Sequence, residues 1–354
     1  MAIEVNKGEW SEGYAFLKLL SDGKLYAADE NKARIRDKYF PIIRILREGH
    51  EYLPNATSSN VDIYLNDVKI LTLPMDDFKA AAQDMFIDIG RLSKGKGSFA
   101  IPEAEKFLRQ IGATTPKAPS ADKADLNVEI HDVQTGFQNI VGFSIKSDLG
   151  AAPTLLNPGK TTNFTFEVTG LSPSDITDIN SIDSTKKIID RMNAIDAAGG
   201  ELLFHSVDNK IFEENLMMID SQMPLIVAEM LKGFFCRRTT DCAVLAEEIV
   251  RINPLNRRKD FYFHNIKELL CASALGMKPA TEWDGDDEAN GGYIIVKTDG
   301  GVVAYHIANR KFFKEYLLRE TRLDSPSTSR YGYCELYNEG GKIFIKLNLQ
   351  IRFN

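Results

Sequence analysis

The stretch ADLNVEIHDVQTGFQNIVGFSIKS, Ala124 to Ser147, reads as two β-strands joined by a tight turn centred on Thr135 and Gly136. Pairing the strands about that turn sets Leu126 opposite Ile145, Val128 opposite Phe143 and Ile130 opposite Val141, so apolar residues meet along one side. That side is core. The other side sets Asp125 opposite Lys146, Asn127 opposite Ser144 and Glu129 opposite Gly142. A carboxylate and an ammonium far apart in the chain thereby become neighbours on a polar sheet face. Such a pair suits divalent-cation-dependent cleavage of a phosphodiester. Asp125 would offer hard oxygen to Mg²⁺, and the cation with Lys146 would lower the pKa of an attacking water and neutralise charge growing on the phosphorane. The same pairing is also that of an ordinary ion pair on a solvated sheet face.

The arrangement resembles the PD-(D/E)XK pattern of Mg²⁺-dependent phosphodiesterases, with one departure. The position two residues before the lysine, usually Glu or Asp, is Ser144, giving Ser-Ile-Lys. A second metal-binding carboxylate must then come from elsewhere. From Glu9 to Leu20 the run EWSEGYAFLKLL is apolar on nearly every side after Tyr14, which predicts a buried helix. Asn6 followed by Glu9 forms a capping box, which gives Glu9 a structural role. Glu12 has none, and it is the first choice for the second carboxylate, with Glu129 and Glu167 as fallbacks. Asp132 falls beside the turn, away from Lys146.

Working outward, helices are expected over Asn31–Glu48 and Ala80–Leu92, with strands near Val61–Tyr64 and Lys69–Leu73. The Pro-, Ser- and Lys-rich segment Thr114–Lys123 sets off the hairpin. Beyond Asn163, TFEV reads as a strand, Lys186–Ala198, Ile211–Lys232 and Glu268–Ala274 as helices, and Gly291–Ile307 as a hairpin turning at Asp299-Gly300-Gly301. The closing run KIFIKLNLQIRF reads as one strand with Asn348, Gln350 and Arg352 on one face. The fold class is α/β: a restriction-endonuclease-like mixed central β-sheet flanked by helices, the whole of 1–354 forming one unit. Within it 1–113 carries Glu12, 117–170 the hairpin and a following loop, 185–280 is mainly helical, and 290–354 is a C-terminal β region.

The 354 residues are 44% hydrophobic and 26% charged, enough to bury a substantial core. A start without a basic and apolar leader, and no apolar run of membrane-spanning length, lead to the expectation of a cytoplasmic protein. Cys236, Cys242, Cys271 and Cys334 lack CxxC spacing, so they are read as reduced and structural rather than as a zinc site. A net charge of −7 does not exclude nucleic acid, because a groove needs only a local basic stripe. One runs from Lys232 to Lys259 and includes Arg237 and Arg238.

Six separated blocks then agree in order with one family. They are GEWSE (Gly8–Glu12), GFSIKSDLG (Gly142–Gly150), TLLN (Thr154–Asn157), TTNF (Thr161–Phe164), PSTSRYGY (Pro326–Tyr333) and KLNLQIRF (Lys346–Phe353). Together they resemble the HpaII family of restriction endonucleases over nearly the whole chain. The resemblance implies a Mg²⁺-dependent enzyme cutting double-stranded DNA at a palindromic tetranucleotide, CCGG, with a cognate DNA methyltransferase as genetic partner. Base and phosphate contacts are then expected from Asn157, Thr161, Thr162 and Asn163, from Arg237 and Arg238, from Arg330, and from Asn348, Gln350 and Arg352. A symmetric target favours a two-fold homodimer, a monomer nicking each strand in turn being the alternative.

Rival motifs fail on spacing. Gly159-Lys160-Thr161 lacks the glycine a phosphate-binding loop requires at Thr154, and the acidic loop Glu282–Glu288 lacks EF-hand spacing. His50, His131, His205, His264 and His306 stand isolated, without HNH context. The remaining alternative is a non-catalytic, sequence-specific DNA-binding protein in which Asp125 and Lys146 merely pair.

Overall fold

The structure, a computed structural model, describes residues 3–94, 97–117, 124–131, 136, 138–150, 152–307 and 310–354. Its elements begin with α1 (Lys7–Asp22), β1 (Lys24–Ala28), β2 (Arg34–Arg47), β3 (His50–Asn55), β4 (Asn60–Leu65), β5 (Val68–Pro74), α2 (Met75–Leu92) and α3 (Pro102–Gln110). There follow β6 (Leu126–His131), β7 (Gln138–Ser147), β8 (Thr154–Leu156), β9 (Asn163–Thr169), α4 (Pro173–Asn180), α5 (Lys187–Ala197), β10 (Glu201–Val207), α6 (Lys210–Ile219), α7 (Met223–Arg237), α8 (Cys242–Ile252) and α9 (Lys259–Leu275). The chain closes with β11 (Gly292–Val296), β12 (Val302–His306), α10 (Arg310–Glu320), β13 (Thr321–Leu323), α11 (Thr328–Tyr331), β14 (Leu336–Glu339), β15 (Lys342–Asn348) and β16 (Ile351–Phe353). Two compact units result: Met1–Pro153 with Asp287–Tyr316, and Thr154–Asp286 with Leu317–Asn354.

In the first unit the sheet order is β1-β12-β11-β7-β6-β2-β3-β4-β5, and β1 also pairs with β2, so six strands close into a ring. The class is mixed α/β as expected, but the sheet closes on itself rather than lying open. The pairs β1–β12 and β7–β11 are parallel and the others antiparallel. Helix α1 touches β1, β2, β3, β7, β11 and β12, and its Trp10, Phe16, Leu17 and Leu20 are buried in one cluster with Ile45, Val128, Phe143 and Ile294. Removing these apolar side chains from water ties the helix to the strands around it. The capping box at Asn6 and Glu9 starts it as expected, and Gly23 ends it in the left-handed conformation at φ 61°.

Two further expectations change in this unit. Residues 34–47 form the strand β2, not a helix: Pro41 would break a helix, and Ile45 and Arg47 alternate onto a buried face as a strand requires. In the hairpin, β6 and β7 pair two residues out of the expected register, with Leu126 opposite Phe143, Val128 opposite Val141 and Ile130 opposite Asn139. A shift of two preserves the faces, so Leu126, Val128, Ile130, Phe143 and Ile145 are all buried. The observed register sets Gly142 against Asn127, where a Cβ would stand 2.7 Å from Ala124 Cβ and 3.2 Å from Asn127 Oδ1. Only glycine admits that approach, and it fixes the pairing more firmly than a turn rule. Thr135 and Asp132 lie outside the described residues.

The second unit holds two antiparallel sheets, β10-β9-β15-β14 and β13-β16-β8, with α4 to α9 and α11. Here the expected single C-terminal strand is two. After Asn348 the chain leaves the ladder: Leu349 N–H donates to Thr162 O at 3.0 Å, and Gln350 O accepts from Asp324 N–H at 3.1 Å, so β16 joins a different sheet from β15. No helix among the described residues is long and apolar enough to cross a membrane, and none of the four cysteines forms a disulfide.

Candidate active site

Asp125 stands one residue before β6, and its own N–H donates to Phe143 O at 2.8 Å, continuing the ladder. In the observed register it faces Ser144 rather than Lys146. Its Oδ2 accepts the Ile145 N–H at 2.6 Å and the Ser144 hydroxyl at 3.1 Å, while Oδ1 has no donor among the described residues. The serine that replaces the usual second carboxylate therefore has a definite role, since it and the β7 backbone lock Asp125 in one orientation. Charge-assisted bonds of this kind are the strong ones.

Lys146 lies two residues further along β7, half-buried, its ammonium 5.2 Å from the centre of the Tyr293 ring on β11. It makes no direct ion pair among the described residues. Burial pushes its pKa down from the ordinary lysine range, and the charges of Asp125 and then Glu12 oppose that fall. Both carboxylates singled out in the sequence thus act electrostatically on this one ammonium.

Glu12 reaches the cluster from α1. Ser147 donates to Ser11 Oγ at 2.8 Å, and Ser11 in turn donates to Lys7 O at 2.7 Å, tying the residue before Glu12 to the residue after Lys146. Trp10 secures the same turn of helix, being fully buried with Nε1 donating to Phe99 O at 2.9 Å. The half-buried Glu12 also adds negative charge beside Arg47 and Lys117. The fallback carboxylates are otherwise engaged. Glu129 binds Arg44 at 2.5 Å, and Glu167, in the second unit, binds Lys342 at 2.9 Å.

Sequence reasoning missed Arg47. It ends β2 in the interior and lines a cleft of about 450 Å³ together with His50, Lys117, Asp125 and Asn127. Once 42–47 is read as a strand, the alternation that buries Ile45 buries Arg47 as well, and that was the available signal.

The residues expected to touch DNA all lie in the second unit. Asn157 and Arg330 are exposed and Thr161 is half-buried. Arg238, left-handed at the end of α7, donates to Asn193 Oδ1 at 2.8 Å and lines a 670 Å³ pocket with Lys186, Lys187, Arg322 and Ser327. Arg237 is held by Glu248 at 3.1 Å, and Arg352 by Asp324 at 3.3 Å. Others turn inward, contrary to the expected polar strand face. Asn348 is fully buried, its Nδ2 donating to Gly159 O at 2.7 Å and Asn163 Oδ1 at 2.6 Å. Asn163 is buried and donates to Tyr331 O at 2.9 Å, Thr162 hydrogen-bonds Gly159, and Gln350 is buried where the strand breaks. These side chains knit the TTNF, PSTSRYGY and KLNLQIRF blocks to one another.

Comparison with known proteins puts the chain in the class of type II restriction endonucleases, site-specific deoxyribonucleases. It belongs to the HpaII restriction endonuclease family, whose model matches residues 6–353. The type II restriction enzyme HpaII of Haemophilus parainfluenzae is 38% identical to it over 358 residues, an alignment covering 98% of each chain. No solved structure matches.

Proposed function

We propose that Asp125, Glu12 and Lys146 form the hydrolytic centre of this endonuclease, a restriction-endonuclease-like active site built on a closed ring of strands, and that it depends on Mg²⁺. One observation carries the reading: Asp125 has one oxygen locked by Ser144 and the Ile145 N–H, leaving the other open, beside an ammonium that Glu12 also acts on. Mg²⁺ is commonly held by one or two carboxylates and keeps several waters, and Asp125 and Glu12 would hold it. When bound, the ion supplies Lewis acidity toward a phosphodiester oxygen and toward water.

The chain's own groups do the rest. Ser144 and the β7 backbone keep the Asp125 carboxylate from rotating, so its open oxygen is preorganised. Lys146, with its pKa lowered by burial, orients the attacking water and neutralises charge that grows on the phosphorane. Tyr293 shields one side of the ammonium from water. The substrate is double-stranded DNA and the target the palindrome CCGG, with a cognate methyltransferase protecting host sites and a homodimer matching the two-fold target. Arg238, Arg330 and Asn157 are the exposed candidates for phosphate and base contacts that no carboxylate among the described residues holds.

The test is a variant set assayed for cleavage and for binding in parallel. Asp125→Asn and Glu12→Gln should bind duplex DNA yet cut it at least about 100-fold more slowly. A fully active Glu12→Gln with wild-type metal dependence removes Glu12 from the site. Binding without cutting by the wild-type protein in Mg²⁺ would favour the non-catalytic alternative.

A further inference from the structure

Arg47 is 8% exposed, and a guanidinium cannot shed its proton to suit a buried position. One of its nitrogens is accounted for: Nη2 donates to Thr115 O at 2.7 Å. Nε and Nη1 are themselves buried and have no hydrogen-bond partner among the described residues. Glu48 Oε1 stands 3.6 Å from Nε, beyond hydrogen-bond reach, and the Glu48 carboxylate is itself taken up by Thr114 and Thr115. The guanidinium lies 5.0 Å from the centre of the Phe16 ring, which packs on it without offering an acceptor. A buried charge with two unmade donors is costly unless something completes its shell. Arg47 lines the cleft that Asp125 also lines, with Lys117 and Asn127 beside it.

Building on the catalytic reading above, we propose that Arg47 is a phosphate-binding residue of this centre, its guanidinium donating to a non-bridging oxygen of the DNA phosphodiester that enters the Asp125 cleft. Glu48 and Glu12 supply negative charge nearby but no acceptor within hydrogen-bond distance of Nε or Nη1, and a phosphate supplies that acceptor, the pairing for which arginine is best suited. Phe16, Thr115 and Glu48 hold the guanidinium in place so that little side-chain freedom is lost on binding. Lys146 then faces the attacking water while Arg47 fixes the phosphate, and the two cations divide the work.

Arg47→Met keeps the stem and its packing on Phe16 while removing the charge. Binding of a cognate duplex in EDTA is measured against salt concentration, and single-turnover cleavage in Mg²⁺. The expected result is a cleavage rate lower by about 100-fold or more, weaker binding, and a plot of log K against log salt shallower by about 0.9, the change that follows when a single phosphate is no longer neutralised. A lowered melting temperature with the wild-type salt slope and rate overturns the assignment and leaves Arg47 a structural latch for Thr115. Arg47→Lys covers the case in which the methionine variant does not fold. It retains charge without the planar guanidinium, so it should cut at least about 10-fold more slowly at an unchanged melting temperature; cutting at the wild-type rate also overturns the assignment. Wild-type protein that neither binds nor cuts duplex DNA refutes the catalytic reading itself, separately from Arg47.

Discussion

Gly142→Ala tests the hairpin register that sets Asp125 beside Ser144. Replacing a strand glycine by alanine ordinarily gains roughly 0.5–1 kcal/mol, because the unfolded chain loses freedom. Here the new Cβ would stand 2.7 Å from Ala124 Cβ and 3.2 Å from Asn127 Oδ1. Carbon atoms rest at about 3.5–4.0 Å, so the Ala124 contact is about 1 Å too close and the steric term wins. Overpacking of this size costs about 1–3 kcal/mol. Trimming the neighbour should restore part of the stability. Ala124→Gly alone costs up to about 1 kcal/mol in chain entropy, yet the double variant should be more stable than the sum of the singles by about 1 kcal/mol. The residual 3.2 Å contact with Asn127 limits the rescue. The assay is chemical denaturation of all four proteins, followed by near-ultraviolet circular dichroism. In the tight-turn register Gly142 faces Glu129 and Ala124 is remote from it, so strictly additive costs would refute the observed pairing.

Lys146→Met should lose cleavage by about 100-fold or more while keeping duplex binding, and should melt no lower than wild type. Burial lowers the folded-state pKa of Lys146 below its unfolded value, so the charged lysine penalises folding in full below the folded pKa, and the penalty fades as pH rises to the unfolded value of about 10.4. Melting of both proteins from neutral to alkaline pH reads this out, and a wild-type advantage that widens with acidity would contradict it. Asn348→Ala leaves the buried Asn163 Oδ1 without its donor, while Gly159 O keeps its bonds from Thr162, and should cost about 1–3 kcal/mol in denaturant stability, with DNA specificity unchanged once folded; an altered target at full stability would return Asn348 to the interface. Arg330→Ala should instead leave melting unchanged and weaken duplex binding, with a salt slope shallower by about 0.9 if the contact is to phosphate; unaltered binding would exclude it.

Much of the site was legible because it rests on alternation. Asp125, Ser144 and Lys146 fall on the polar side of a strand pair in either register, and Glu12 was marked by a buried helix in which Glu9 already had a capping role. The register itself was not legible, since it depends on Ala124 meeting Gly142 across the sheet. Strand β2 was misread because Ile42 and Ile45, three apart, mimic a helical face; that misreading hid Arg47, whose burial follows only from strand periodicity. The closure of six strands into a ring requires the parallel pairing of β1 with β12, a contact between distant segments that no local pattern encodes. Asn348, Gln350 and Arg352 read as one ligand-facing row because alternation runs unbroken through 346–353, whereas the backbone leaves its ladder at Leu349.

The most direct measurement is digestion of a plasmid of known sequence by the purified protein, in Mg²⁺ and in EDTA, with the ends of every fragment sequenced. Discrete cuts at CCGG in Mg²⁺ and intact plasmid in EDTA are the predicted result. Intact plasmid in both, or equal cutting in EDTA, would contradict a Mg²⁺-dependent centre built on Asp125, Glu12 and Lys146.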